Sequence, residues 1–196
     1  FQMWVDMKFL LKIVVVVVSL VCSDIVVYSQ DFCRIENGYV HIVDNPKAMG
    51  VDFSFRVLDG WCTETVEAPH LFCALSYESI ISLFFGIEEN VTFFSKKQAE
   101  EIYDFIDYEG KLLKQYENKN GKIITSYTDL INTYPTRVIH ISYNDRLPDG
   151  QVLEFVCLQW IILYEDYIIS ISAYCPKKLI SAFSMDIAQI AHSLTF

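Results

Sequence analysis

Alternating apolar and polar residues mark the first predicted strand. Every second residue from Val51 to Val57 is apolar, with polar or charged residues between, and this period of two is typical of a half-buried strand. Asp59-Gly60 follows as a turn. Three more β-rich runs come next, and we predict strands at residues 62–66, 71–77 and 80–87, the first two joined by a turn at 67–69.

The period changes to that of a helix after residue 93. Six apolar residues fall near one helical face and charged residues occupy the other, which predicts an amphipathic helix from Lys96 to Tyr108 with Ser95 as its N-cap. Gly110 suggests a break, after which residues 112–116 extend the helix. The apolar face is formed by Phe94, Ala99, Ile102, Tyr103, Phe105 and Ile106.

The second half of the chain predicts an antiparallel meander followed by a helix. Four segments rich in Ile, Val and aromatic residues lie at 122–127, 137–143, 152–163 and 167–173. Turn residues separate the last three, at 144–150 and at Glu165-Asp166. After Pro176, apolar residues recur at helical spacing through Leu194, so we expect this closing helix to pack on the sheet.

These elements together predict one α+β domain over residues 31–196. Its sheet is largely antiparallel and is flanked by helices. The apolar stretch 155–175 is long enough to resemble a membrane span, but Glu165 and Asp166 lie at its centre. We therefore interpret it as a buried hairpin.

Within the first thirty residues, a few upstream residues precede a segment that begins at Met7 and has the pattern of a secretory signal peptide. Lys8 and Lys12 precede a run of about ten mostly apolar residues that ends before Asp24. The run is too short to span a bilayer. We favour cleavage near Ser29, with Ser23 as the other small residue suited to it. We therefore expect export to the periplasm, the cell surface or the medium. The alternative is an intracellular protein whose first thirty residues remain uncleaved as a membrane anchor.

Lipid anchoring and nucleic-acid binding are both disfavoured. Val21 stands before Cys22, where a lipid-attachment signal has Gly, Ala or Ser. The chain has 15 Lys and Arg against 25 Asp and Glu, a formal net charge of -10. Residues 1–30 contain two Lys and two Asp, so their removal leaves this charge unchanged. Such an acidic protein repels phosphate backbones.

Three segments resemble the PsbP/DcrB-like family of exported α/β/α sandwich domains. Residues 53–61 are similar to its first strand and turn, although Leu58-Asp59 stands where proline is common. The aromatic-rich hairpin 155–173 and the closing segment 187–196 resemble its later elements. The resemblance implies an α/β/α sandwich. Because members are mostly non-enzymatic assembly, stress or ligand-associated proteins, it implies no catalytic residues.

The cysteines after residue 30 allow two cross-strand pairs. If a turn at 67–68 closes the first hairpin symmetrically, Cys62 lies opposite Cys73. If Asp166 centres the later hairpin, Cys157 lies opposite Cys175. Directly opposed cysteines lie near disulfide distance. The alternative is that these thiols are small buried apolar groups. Cys33 is left over in either case.

No motif for catalysis, metal binding or a cofactor stands out. The histidines are His41, His70, His140 and His192, and none lies in a nucleophile motif or in closely spaced ligand pairs. We therefore predict no catalytic, metal-binding or cofactor-binding residues. An exported, hydrolase-like enzyme remains the alternative, with a dispersed site of histidine and cysteine or of histidine and carboxylate.

Aromatic residues are abundant and suggest a binding groove. They make up 15% of the chain, and strands favour them as core residues. The functional alternative is an apolar groove between sheet and helix, lined by Trp61, Trp160 and Phe155. The sequence thus predicts a non-catalytic exported domain that binds a protein partner or an apolar small molecule.

Overall fold

A computed structural model describes residues 33–68, 70–89, 103–147 and 149–196. The predicted signal peptide and the predicted N-cap Ser95 lie outside these residues, as do Pro69 and Pro148. Ten strands and two α-helices form within them. The elements are β1 (Cys33–Glu36), β2 (Tyr39–Ile42), β3 (Phe53–Arg56), β4 (Trp61–Glu64), β5 (Leu71–Tyr77), β6 (Ile81–Glu89), α1 (Tyr103–Gln115), β7 (Lys122–Ile131), β8 (Tyr134–Arg146), β9 (Val152–Tyr164), β10 (Tyr167–Pro176) and α2 (Ile180–His192).

The strands form two antiparallel sheets. Seven strands make the large sheet in the order β4-β5-β6-β10-β9-β8-β7, and β1-β2-β3 make the small one. Every described pair of neighbours is antiparallel. The predicted α+β architecture with a largely antiparallel sheet is confirmed. The last four strands are consecutive neighbours, as the predicted meander requires.

One side of the large sheet, which we call the first face, carries the larger core. Leu83, Trp160 and Ile171 project from it against the small sheet and α2. Phe55 of the small sheet stacks on Phe85, with ring centroids 4.1 Å apart. The end of the chain is tied to β3, since the Ser54 amide donates to the Thr195 carbonyl at 3.0 Å.

The opposite side of the large sheet, the second face, is covered by α1. Leu112 and Tyr116 pack there against β8 and β9 residues such as Ile139 and Ile161. The predicted break at Gly110 is wrong, because α1 continues through it to Gln115. A glycine inside a helix costs only about 1 kcal/mol, and the burial of Leu112 on the sheet offsets that cost.

The hairpin β1-β2 was not predicted. Its turn is Asn37-Gly38, where both residues have positive φ, at 53° and 77°. Asn-Gly between two short β-rich runs is a strong hairpin signal. The strands have only four residues each, and β1 is largely exposed. The pattern of apolar positions therefore predicts them weakly, and only the turn could have revealed them.

Candidate functional site

A cavity of about 460 Å³ opens on the second face, between α1 and the middle of the large sheet. Its volume lies within the range of small-molecule sites. The described residues that line it come from α1, β6, β9, β10 and the start of β5. They are His70, Leu71, Phe84, Ile87, Glu88, Tyr108, Leu112, Gln115, Gln159, Ser170, Ser172 and Tyr174.

The serines of β10 give the cavity a polar wall. Ser170 and Ser172 alternate with Ile169 and Ile171, whose side chains belong to the first core. Because successive strand residues point to opposite faces, both hydroxyls project from the second face. Aliphatic side chains fill the first face, whereas these short ones leave room on the second.

Glycine in β6 also keeps the cavity open. Gly86 lies opposite Ser170 in the register. A Cβ atom at Gly86 would approach Ser170 Oγ to 2.9 Å and the His70 carbonyl oxygen to 3.1 Å. Both separations are shorter than an ordinary van der Waals contact. A larger residue here would therefore push against the serine wall.

Gln159 is the most unusual residue of the site. It lies on β9 between Ile139 and Ser172 in the register, and only 8% of its surface is exposed. Its Oε1 atom has no hydrogen-bond partner among the described residues. A buried acceptor without a partner costs about 1–3 kcal/mol. The cavity thus holds an acceptor that a bound donor would satisfy.

Tyr174 lines the cavity and lies beside two other titratable groups. It interacts by hydrogen bonding with Tyr116 and Cys157. Burial raises the pKa of the Cys157 thiol to about 11, and burial likewise raises the pKa of Tyr174. Both groups are therefore protonated and uncharged at neutral pH.

The lining also contains a carboxylate, that of Glu88. Burial raises the pKa of Tyr108, and the nearby Glu88 carboxylate raises it further. Glu88 and His70 are the remaining titratable residues of the lining. The cavity therefore combines apolar surface with neutral hydroxyls, one buried amide oxygen and one carboxylate.

The three aromatics predicted to line a groove do not line this cavity. Trp61 and Trp160 are 5% and 3% exposed and belong to the first core. Phe155 lies on the second face, stacked on Tyr143 with ring centroids 5.8 Å apart. The groove expected from these residues is not the one that the described residues form. Gln159, Ser170 and Ser172 were missed, although polar residues in otherwise apolar strands were their signal.

The register predicted for the first cysteine pair is wrong. Cys62 lies opposite Ser76, and Cys73 lies opposite Phe85 on the next strand. Cys62 is exposed and Cys73 is buried. The predicted register assumed that the hairpin of β4 and β5 is symmetric about residues 67–68. The observed hairpin is centred farther along the chain, so Cys62 and Cys73 do not lie opposite each other.

The register predicted for the second pair is wrong by one residue. Cys157 lies opposite Tyr174, and Cys175 lies opposite Val156. The hairpin has a two-residue turn, Glu165-Asp166, rather than one centred on Asp166. A shift of one residue moves a side chain to the other face. Cys157 accordingly lies in the core of the second face and Cys175 in that of the first.

The histidines do not form a catalytic arrangement in the cavity. His70 lines it, but its imidazole makes no hydrogen bond or ion pair with another residue within the described ranges; its backbone carbonyl accepts from the Ile87 amide at 3.2 Å. His192 Nε2 lies 3.1 Å from Asp129 Oδ2, and neither residue belongs to the lining. Across the part of the chain that the structure describes, no three His, Cys, Asp or Glu residues form a group suited to a metal ion.

Neither described helix is both long enough and apolar enough to cross a membrane. The protein-family models give no match to the sequence, and neither do the curated proteins.

The comparison with solved structures, in contrast, gives matches. Cyanobacterial PsbP (CyanoP) from Synechocystis matches with a TM-score of 0.57 at 12% identity, over 82% of this chain and 94% of that one. The Ran-binding protein Mog1p of Saccharomyces cerevisiae matches at 0.48 and 10% identity, over 73% and 89%. LpqN of Mycobacterium tuberculosis, involved in cell envelope biogenesis, matches at 0.47 and 12%, over 73% and 82%.

The chain therefore has a PsbP-like fold, and the fold expected from the sequence resemblance is confirmed. At 12% identity this similarity concerns the fold alone.

Proposed function

We propose that this protein is an exported, non-catalytic binding domain whose cavity on the second face takes a small molecule. The ligand has an apolar body and carries an O–H or N–H donor. The domain comprises residues 31–196, and residues 7–29 are its signal peptide.

The unpaired Oε1 atom of Gln159 carries the proposal. Ser170, Ser172 and Tyr174 each hold a hydroxyl, which can rotate to donate or to accept. The amide oxygen of Gln159 can only accept, and it has no partner within the described chain. A ligand donor that reaches it would remove the cost of the buried acceptor, whereas an apolar molecule of equal size would not.

Charge narrows the ligand class further. Glu88 contributes a carboxylate to the lining, and the whole chain carries a formal charge of -10. Both disfavour an anionic ligand. The site therefore suits a neutral or cationic molecule.

Export is supported by the apolar segment after Lys8 and Lys12. N-terminal sequencing of the protein recovered from its own cells tests this part alone. A mature chain that begins near Gln30 is the expected result. A chain that retains residues 7–29 would overturn export.

Three naphthalene compounds test the ligand class. We expect 2-naphthol, which carries a donor, to bind more tightly than 2-methylnaphthalene, which has none, and than the anion 2-naphthoate. An unsatisfied acceptor corresponds to a difference of roughly tenfold in Kd. Titration followed by naphthalene fluorescence at pH 7 measures all three affinities.

A matched pair of variants locates the effect. Gln159→Leu should abolish the preference for 2-naphthol over 2-methylnaphthalene, because no acceptor remains. Gln151→Leu changes the same residue type outside the cavity lining and should keep the preference. Equal affinity of the wild-type protein for both compounds would contradict the proposal. Absence of all binding would overturn it and favour a protein partner.

A further inference from the structure

Cys33 and Cys73 come together although they lie on different sheets. Cys33 is the first residue of β1 and lies opposite Ile42, which is fully buried in the first core. Opposed residues of an antiparallel pair share a face, so Cys33 also faces this core. Cys73 belongs to the same core and is 3% exposed. The two thiols lie close enough to interact with each other, and Cys73 Sγ also donates to the Ala74 carbonyl at 3.8 Å.

Neighbouring contacts hold the two sheets in this arrangement. Phe53 of β3 stacks on Phe72 of β5, with centroids 4.4 Å apart. Asn45, which follows β2, donates through Nδ2 to the Phe72 carbonyl at 3.4 Å. Lys47 Nζ donates to the Val66 carbonyl at 2.7 Å. These contacts, on β5 and on the loop before it, hold the small sheet against the strand that carries Cys73.

We propose that Cys33 and Cys73 form a disulfide bond that joins the edge strand of the small sheet to the large sheet. In the cell this bond rests on the export part of the proposed function, because disulfides persist in oxidising compartments.

The chemistry is ordinary thiol–disulfide exchange with a disulfide oxidant, such as oxidised glutathione. The Cys33 thiolate attacks one sulfur of the oxidant, and the first thiol leaves. Cys73 then loses its proton to solvent and attacks Cys33 Sγ, and the second thiol leaves. In total two protein thiols give up two protons and two electrons, and the oxidant is reduced to two thiols.

The surroundings of the two cysteines suit Cys33 to react first with the oxidant and Cys73 to react second. The interaction between the two thiols lowers the pKa of Cys33 and raises the pKa of Cys73. Cys33 is also the more accessible of the two. Because the thiolate is the nucleophile, Cys33 reacts with the oxidant first. Once Cys33 is in the mixed disulfide, its thiolate no longer raises the pKa of Cys73.

The other described cysteines are less suited to this reaction. Burial raises the pKa of Cys157 and of Cys175, each to about 11. They lie on opposite faces of the sheet. Cys62 is exposed and lies opposite Ser76. Cys62→Ser is therefore the control variant.

Peptide mapping of the full chain tests the bond. The reduced protein is incubated with oxidised glutathione, denatured, alkylated without reduction and digested. We expect one cross-linked peptide pair that contains Cys33 and Cys73. The pair should persist in Cys62→Ser and disappear in Cys33→Ser, which changes a partly exposed residue. Relative to the reduced protein, Tm should rise by roughly 5 to 10 °C, and Cys33→Ser should abolish this rise.

Alkylation of both Cys33 and Cys73 after oxidation would overturn the proposal, and so would a cross-link from either to Cys62. A stable glutathione adduct on Cys33 would do the same. The oxidant is supplied in the tube, so this result does not depend on export. Binding of 2-naphthol is measured on reduced protein, so failure of the ligand proposal is also seen separately.

Discussion

Arg137 of β8 donates through Nε to Glu109 Oε1 of α1 across 2.7 Å. Ser126 of β7 donates its hydroxyl to the same carboxylate oxygen. Both charged side chains are mostly buried, at 13% and 14% exposed. Leu112 and Tyr116 hold α1 on the second face by apolar contacts, and this ion pair holds it there by a polar contact. Because α1 forms one wall of the cavity, the ion pair also shapes the site.

Arg137→Met should destabilise the protein by about 2 kcal/mol, because it leaves the Glu109 carboxylate largely buried without its cation. Urea unfolding measures the change. In Arg137→Met/Glu109→Gln the uncompensated charge is gone, so part of the loss should return. The control is Lys119→Met, which removes an exposed pair with Asp145 and should cost about 0.5 kcal/mol. Equal losses for the two single variants would show that burial of the pair has no influence.

Gln159→Leu should raise the free energy of unfolding of the ligand-free protein by about 1 kcal/mol, because it removes a buried acceptor without a partner. Thr136→Val provides the contrast. Thr136 is fully buried, and its hydroxyl donates to the Tyr134 carbonyl at 3.1 Å, so its loss should cost about 1 kcal/mol. Urea unfolding without ligand measures both changes in the free energy of unfolding, which should have opposite signs. A loss of stability in Gln159→Leu would mean that its amide is already satisfied.

His140 should make stability depend on pH in the acidic range. Burial lowers the pKa of His140 below its usual value, so the unfolded chain binds this proton more readily than the folded one. The contribution of His140 is therefore fully present above about pH 6.5 and is lost as pH falls through its folded pKa. His140→Gln should lose less Tm than the wild type between pH 7.5 and pH 5. Parallel Tm curves for the two proteins would contradict this assignment.

Gly60→Ala should destabilise more than Gly150→Ala. Both glycines have positive φ, at 85° and 88°, so both substitutions carry the backbone strain of about 1 kcal/mol. A Cβ atom at Gly60 would also meet Tyr77 Cε2 at 2.6 Å, whereas one at Gly150 has no neighbour within 4 Å. We expect an extra loss of about 1 kcal/mol at Gly60, measured by thermal unfolding. Equal losses would show that Tyr77 moves aside freely.

Strand positions were predictable, because alternation is a local property of the chain. The predicted strand at 71–77 coincides with β5, and the predicted closing helix corresponds to α2. Element boundaries were less predictable. The four-residue strand β1 carries too short a pattern to identify, and α1 continues through Gly110 because packing on the sheet outweighs a weak local preference.

The site was predicted poorly, for a specific physical reason. Trp61 and Trp160 are the kind of residue that lines grooves, but the same aromatic surface stabilises a core. Whether such a residue lines a groove or lies in the core depends on the face of the sheet from which its side chain projects. Gln159 is informative because its polar group is buried, and burial depends on which segments pack over it.

The sequence by itself determined most of the longer elements, the antiparallel α+β class and the acidic charge, because these depend on composition and on periodicity within single segments. The tertiary structure decided the strand register, the membership of the cavity and the contact between Cys33 and Cys73. Each of these depends on how distant segments align. A shift of one residue in a hairpin turn moves every side chain of a strand to the opposite face, as the separation of Cys157 from Cys175 shows.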